Sequence, residues 1–255
     1  MSPVEVEQLT EATAAVSLKE QQALKIQPLK RNHSLDTYKN FKLQPHIGSE
    51  FAKGSVQIRE LLNAPNSAEL LHDLAVLVAE RNVVFFRDQD LTFEEMKDVA
   101  DRLGKAAGKP ATSGLHSHPI SVATDEFGEK NFPISSKLVG ERRGVYGGSR
   151  SGLASIGWHS DVTFENVPSD YAVLRLREAP PAGGDTLWAS AYEVYERLSP
   201  AFQKFLEGLT ATHVGEGFLK LAEAGHATIN PGPRGAPEDV GTHLSAVHPV
   251  VRTNP

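Results

Sequence analysis

The sequence predicts an α+β domain, and three observations carry that expectation. Capped amphipathic helices recur along the chain, and short apolar or alternating runs of strand type sit between them. With 40% hydrophobic residues in 255, the chain can bury one sizeable core, and no internal repeat is evident.

Residues 1–40 are polar and mixed, with Lys30-Arg-Asn-His-Ser34 near their end. They read as an extension, partly disordered or helical, outside a domain spanning 41–255. Asn66 or Ser67 caps an amphipathic helix whose Leu70, Leu71, Leu74, Leu77 and Val78 share one face, and Arg81-Asn82 ends it. Val83-Val-Phe-Phe86 follows as a short buried strand. Thr92 and Glu95 form a capping box for a second helix, with Phe93, Met96, Val99, Ala100 and Leu103 inward and Gly104 as its stop. This helix–strand–helix unit reads as support for a sheet.

Further along, the run Asp170-Tyr-Ala-Val-Leu-Arg-Leu-Arg177 alternates as a strand. Ser190 and Glu193 make another capping box. Ser199-Pro200 opens a helix with Phe202, Phe205, Leu206 and Leu209 inward. Two stretches, 105–155 and 225–242, are rich in Gly and Pro and read as loops. Within the first, Gly147-Gly-Ser-Arg-Ser-Gly152 is close to a flexible tether, and the loop runs directly into a candidate metal site, which favours a lid.

Composition narrows the function classes. A net charge of −6 gives no electrostatic footing for nucleic acid or an acidic membrane surface. There is no cysteine, so disulfides, thiolate metal sites and cysteine nucleophiles are excluded. No long apolar run occurs, and Met1-Ser-Pro-Val-Glu-Val-Glu7 has neither a basic nor an apolar leader region. The expectation is a cytoplasmic protein.

The candidate chemistry starts at His159-Ser-Asp161, inside Ile156-Gly-Trp-His-Ser-Asp-Val-Thr-Phe164. On an extended segment, residues two apart point to one face. An imidazole and a carboxylate there form two-thirds of the facial triad that holds non-heme Fe(II) with positions open for O2. On the triplet alone, a surface strand or turn is the better reading.

The surroundings add to it. Trp158-His-Ser-Asp-Val-Thr-Phe164, Gly183-Gly-Asp-Thr-Leu-Trp188, Asn82-Val-Val-Phe-Phe-Arg-Asp-Gln89, Leu115-His-Ser-His-Pro119 and His248-Pro-Val-Val-Arg-Thr-Asn-Pro255 occur in one order with sensible gaps. Together they resemble the TauD/TfdA-like (taurine dioxygenase-like) family of Fe(II)- and 2-oxoglutarate-dependent dioxygenases, over roughly residues 45–255. The resemblance implies a double-stranded β-helix (jelly-roll, cupin-like) core with flanking helices. It also implies oxidation of a substrate C–H bond by O2, with 2-oxoglutarate converted to succinate and CO2.

Carried over residue by residue, the resemblance makes His159 and Asp161 metal ligands and Thr186 the hydrogen-bond partner of the 2-oxoglutarate carboxylate. It makes His118 a contact of an anionic substrate head, with the Val162 backbone amide beside it. The two glycines at 183 and 184 also read simply as a tight turn, and Trp188 as either a pocket wall or a core residue. Two positions depart from the taurine enzyme: Ser121 stands where it has tyrosine, and Ser155, still expected among the substrate-binding residues, where it has asparagine. The substrate is therefore expected to be a small, sulfonate-like anion rather than taurine itself.

By alignment with the family, a distal iron histidine and a 2-oxoglutarate arginine would lie beyond Pro255. His213, His226, His243 and His248 follow the triplet, and Arg252 lies nine residues after His243, a spacing read as coincidence. The expectation is therefore of a β-helix incomplete at its C-terminus, in a fragment or shortened form that is unstable or inactive alone. Its raw sheet edges leave pairing with another chain, including a homo-oligomer, open. The competing expectation is a catalytically inactive relative that binds a small acid or a partner.

Overall fold

Asn82 ends a helix in a left-handed turn (φ 62°) and delivers the chain into the first sheet. In the computed structural model, which describes residues 28–120, 134 and 157–253, that sheet has three strands. They are β1 (Asn40–Lys42), β2 (Ser49–Phe51) and β3 (Val84–Phe86). β2 is central, antiparallel to β1 and parallel to β3, with Ser49 opposite Val84 and Phe51 opposite Phe86. The parallel pair needs a crossover, and two helices supply it: α1 (Ile58–Asn63) and α2 (Ser67–Arg81).

α2 matches its predicted limits. Leu70, Leu71, Leu74 and Leu77 are buried as expected, but so are Asp73, Ala75 and Val76, so the helix is covered on more than one side. Part of that cover comes from residues read as outside the domain. Asp73 accepts from the backbone of Asn32 and Ser34, each at 2.6 Å, and Leu35 is buried in the same core. Residues 31–40 thus belong to this body.

α1 was not legible in the sequence. A Gln57/Glu60 capping box starts it, and Gln89 accepts from the Ile58 amide at 2.8 Å while donating to the Val56 carbonyl at 2.9 Å. These bonds give the Arg87-Asp-Gln89 stretch a structural task, joined by Arg87, which donates to Glu50 at 2.7 Å.

α3 (Phe93–Ala106) begins at the predicted Thr92/Glu95 capping box, both halves of which are formed. Its end is corrected. Gly104 is buried inside the helix, and the chain turns instead at Gly108 (φ 90°), whose missing Cβ makes the left-handed turn inexpensive.

The predicted strand at 170–177 is also corrected. Its alternation is real, since Tyr171 and Val173 pack on the first core while Ala172 and Leu174 face out. No described strand hydrogen-bonds to it, however, and alternation without a ladder partner is not a strand.

α4 (Ala191–Glu196) and α5 (Pro200–Glu207) start at the predicted Ser190 and Ser199. Ser190 accepts from the Glu193 amide, but the reciprocal half of the box is absent. The Glu193 carboxylate is turned to His46 at 2.8 Å and Arg197 at 3.1 Å instead. The inward face expected for α5 is not buried. Phe202 and Phe205 are 47% and 58% exposed and stack on each other. Helical periodicity reports an apolar stripe, not what covers it.

The second sheet is an antiparallel ribbon, β4 (Thr210–Val214) with β5 (Ser245–Pro249), and α6 (Glu216–Glu223) lies between them in sequence. Ile120, Phe164, Leu221, Ile229 and Leu244 form the core beside them. The observed class is α+β. The strands among the described residues make up these two small sheets.

Candidate active site

The His159-Ser-Asp161 triplet lies outside any described helix or strand and enters a turn at Asp161. The two side chains meet, with His159 Nε2 3.3 Å from Asp161 Oδ1. On the other side of the ring, Nδ1 lies 2.7 Å from the Gly157 carbonyl oxygen. A carbonyl can only accept, so Nδ1 donates its proton there. In the neutral ring Nε2 then turns its lone pair toward the carboxylate. Such a fixed tautomer, buttressed by a backbone carbonyl, is the usual setting of a metal-bound imidazole.

Two donors about 3 Å apart also suit adjacent positions on one ion with bonds of about 2.1 Å. The pair therefore fits Fe(II) as two of its ligands. Both side chains are 73% exposed, and no cluster of three or more His, Asp or Glu that could hold a metal forms among the described residues. His248 is engaged elsewhere, donating from Nε2 to the Glu165 carbonyl at 2.9 Å, with the His213 ring 5.6 Å away.

Val162 follows Asp161 directly and has φ 49°. A β-branched residue in the left-handed region is a true outlier, costing on the order of 1–3 kcal/mol, and persists only where its surroundings over-determine it. Here they do. The Glu165 amide donates to the Val162 carbonyl at 3.0 Å, and the side chain packs against the second core.

His118 reaches the same core. Its ring meets Phe218 edge-on at 5.0 Å, Phe218 meets Phe164 at 5.6 Å, and the Ile120 amide lies 3.2 Å from His118 Nδ1.

Thr186 is exposed, just after a turn in which Gly183 and Gly184 adopt φ 78° and 74°. It makes no hydrogen bond to His159 or Asp161 among the described residues. Trp188 is 46% exposed and so not a core residue. It lines a cavity of about 410 Å³ with His46, Ser190, Glu193 and Arg197. Ser155 and Ser121 fall outside the described residues, as do 121–133 and 135–155 of the expected lid.

Sequence reading missed a buried ionic cluster beside Val162. Arg234 donates from Nε to Glu165 Oε1 and from a terminal nitrogen to Oε2, each at 2.6 Å, and His116 Nε2 approaches Oε1 at 3.1 Å. Burial works against the Glu165 charge. The Arg234 and His116 contacts overcome it and hold the carboxyl down at about 2.

Asp239 is wholly buried, and one carboxylate oxygen accepts from the Val167 amide at 2.9 Å while the other lacks a partner. Burial, with the Glu165 charge nearby, pushes its pKa up. At Gly232 a Cβ would stand 2.4 Å from the Asp239 carbonyl oxygen, so only glycine lets this loop close on itself. The partners lie 69 residues apart, so no local pattern signals the cluster.

The chain is 42% identical over 230 residues to an alpha-ketoglutarate-dependent dioxygenase, oryG, of Aspergillus oryzae, covering 90% of this chain and 66% of that protein. It is 42% identical to an alpha-ketoglutarate-dependent dioxygenase, btcD, of Neocamarosporium betae, covering 91% and 70% respectively. An alpha-ketoglutarate-dependent sulfonate dioxygenase of Saccharomyces cerevisiae is 32% identical over 84% of this chain and 46% of its own length. The match thus spans about two-thirds of the first two relatives. The sequence profile described as "Taurine catabolism dioxygenase TauD, TfdA family" matches residues 39–255. By that match over most of its length, the chain belongs to the TauD/TfdA family, whose members use Fe(II) and 2-oxoglutarate.

Proposed function

We propose that the protein is a 2-oxoglutarate-dependent dioxygenase that hydroxylates a small anionic, sulfonate-like molecule. Its core on this reading is the family's double-stranded β-helix. The single observation carrying the proposal is the His159–Asp161 pair, with Nδ1 tied to Gly157 and Nε2 turned to the carboxylate.

His159 and Asp161 would hold Fe(II), which activates O2 for oxidation of a substrate C–H bond as 2-oxoglutarate is converted to succinate and CO2. Asp161 contributes a hard oxygen and a negative charge, and His159 a neutral nitrogen oriented by Gly157. The Val162 turn presents its backbone amide to the substrate's anionic head, and His118, held against Phe218, adds a second donor. Thr186 is assigned to the 2-oxoglutarate carboxylate. The sulfonate class is supported by the yeast relative's name and by His118, while Ser121 and Ser155 argue against taurine itself.

The test is an anaerobic titration with Fe(II) and 2-oxoglutarate, of this chain and of a form extended to its relatives' length. A visible metal-to-ligand charge-transfer band that His159→Ala abolishes supports the proposal. A band in neither form, or one indifferent to His159→Ala, refutes it.

A further inference from the structure

We infer that Glu165 is a positioning residue for substrate recognition, acting through Arg234 and His116 to set Val162 and His118. The inference rests on the reading that these two residues face the substrate. Three segments meet at Glu165. Its amide closes the turn at Val162, and its carboxylate takes His116, two residues before His118. The same carboxylate takes Arg234 from the 229–241 loop.

Arg234 then stitches that loop to itself and to the His118 segment. It donates to the carbonyls of Asn230 and Gly241, each at 2.8 Å, while its own carbonyl accepts from Ser117 at 2.7 Å. Pro119 accepts from the Asn230 amide at 2.7 Å, and Ile120 bridges to Ile229.

Each bond alone is ordinary. Their convergence is not, because one residue holds the strained φ of Val162 through its amide and the His118 segment and the 229–241 loop through its carboxylate. A charge-assisted, bidentate and water-excluded contact is the kind that fixes geometry to fractions of an ångström. Glu165 touches neither substrate nor metal in this account, so its effect must appear as a displaced recognition pair with the rest of the fold intact.

The experiment uses the 255-residue chain, its E165Q variant and the double variant E165Q/R234M. The double variant removes both charges together and guards against loss of folding from one unpaired buried ion. In the metal-free protein, nuclear Overhauser contacts between the His118 and Phe218 rings report the seat of His118. The Val162 amide shift reports the turn. Titration with ethanesulfonate as probe reports recognition. Arg81→Met, which removes a buried arginine from the end of α2, serves as the control for general destabilisation.

In the folded double variant, the His118–Phe218 contacts weaken, the Val162 amide moves, and ethanesulfonate binding drops at least ten-fold, while Arg81→Met changes none of these. Unchanged contacts and amide shift in the double variant, or equal changes in Arg81→Met, overturn the inference. If ethanesulfonate leaves wild-type His118 and Val162 unperturbed, the substrate reading fails, while the two structural readouts still decide the positioning claim.

Discussion

Arg234 closes its guanidinium on both oxygens of Glu165 at 2.6 Å, and the two side chains are 2% and 1% exposed. A pair so deeply buried recovers its desolvation cost only through further hydrogen bonding, and Arg234 gives two more donors to loop carbonyls. It therefore ties the turn after the His-x-Asp triplet to a loop roughly seventy residues away.

Breaking this pair from one side leaves an uncompensated charge. Arg234→Met is expected to cost about 3–5 kcal/mol of folding free energy. Urea unfolding followed by circular dichroism checks it, through a lower midpoint at unchanged slope. A loss under about 1 kcal/mol would mean the cluster is hydrated in solution.

The same carboxylate makes stability fall in acid. Its pKa is held at about 2 in the folded chain against an ordinary 4.5. A depressed carboxylate stabilises above its unfolded value, and that stabilisation disappears as pH falls through the folded one. Between about pH 4.5 and 2, Glu165 should surrender on the order of 3 kcal/mol. Melting curves of wild type and Glu165→Gln across that window should converge as the pH drops.

Asp239 works in the opposite sense. Its pKa is raised by burial and the neighbouring Glu165 charge, so its ionised form opposes folding at neutral pH, and protonation on acidification restores stability. Asp239→Asn keeps an acceptor for the Val167 amide and removes the unpartnered anionic oxygen. It should raise the neutral melting temperature by about 2–4 °C, near 1 kcal/mol for a chain of this size. The initial gain on acidification should also disappear in calorimetric scans.

Burial separates two apolar positions that look alike in sequence. Leu71 is 1% exposed and should cost about 2–5 kcal/mol on replacement by alanine. Phe205, 58% exposed, should cost no more than about 0.5 kcal/mol as Phe205→Ala. Chemical denaturation of both variants in parallel tests the difference.

What the sequence discloses follows from the range of the forces involved. The Thr92–Glu95 box and the Leu70–Leu77 face arise within one or two helical turns, and both appear where local reasoning puts them. His159 and Asp161 also meet locally, two residues apart where the chain enters a turn. The Glu165–Arg234 pair is set by tertiary closure and leaves no trace in spacing. Phe202 and Phe205 show the converse: their periodicity is clear and their exposure is not encoded in it. Ser190 illustrates competition, because its local box loses Glu193 to His46 and Arg197.

The most direct test of the account is where this chain binds iron. Anaerobic addition of Fe(II) to the isotope-labelled 255-residue protein, read by paramagnetic line broadening, maps the ion residue by residue. The account predicts broadening centred on His159, Asp161 and Val162, abolished when both His159→Ala and Asp161→Ala are introduced. Broadening centred on His213 and His248, or unchanged in that double variant, would contradict it.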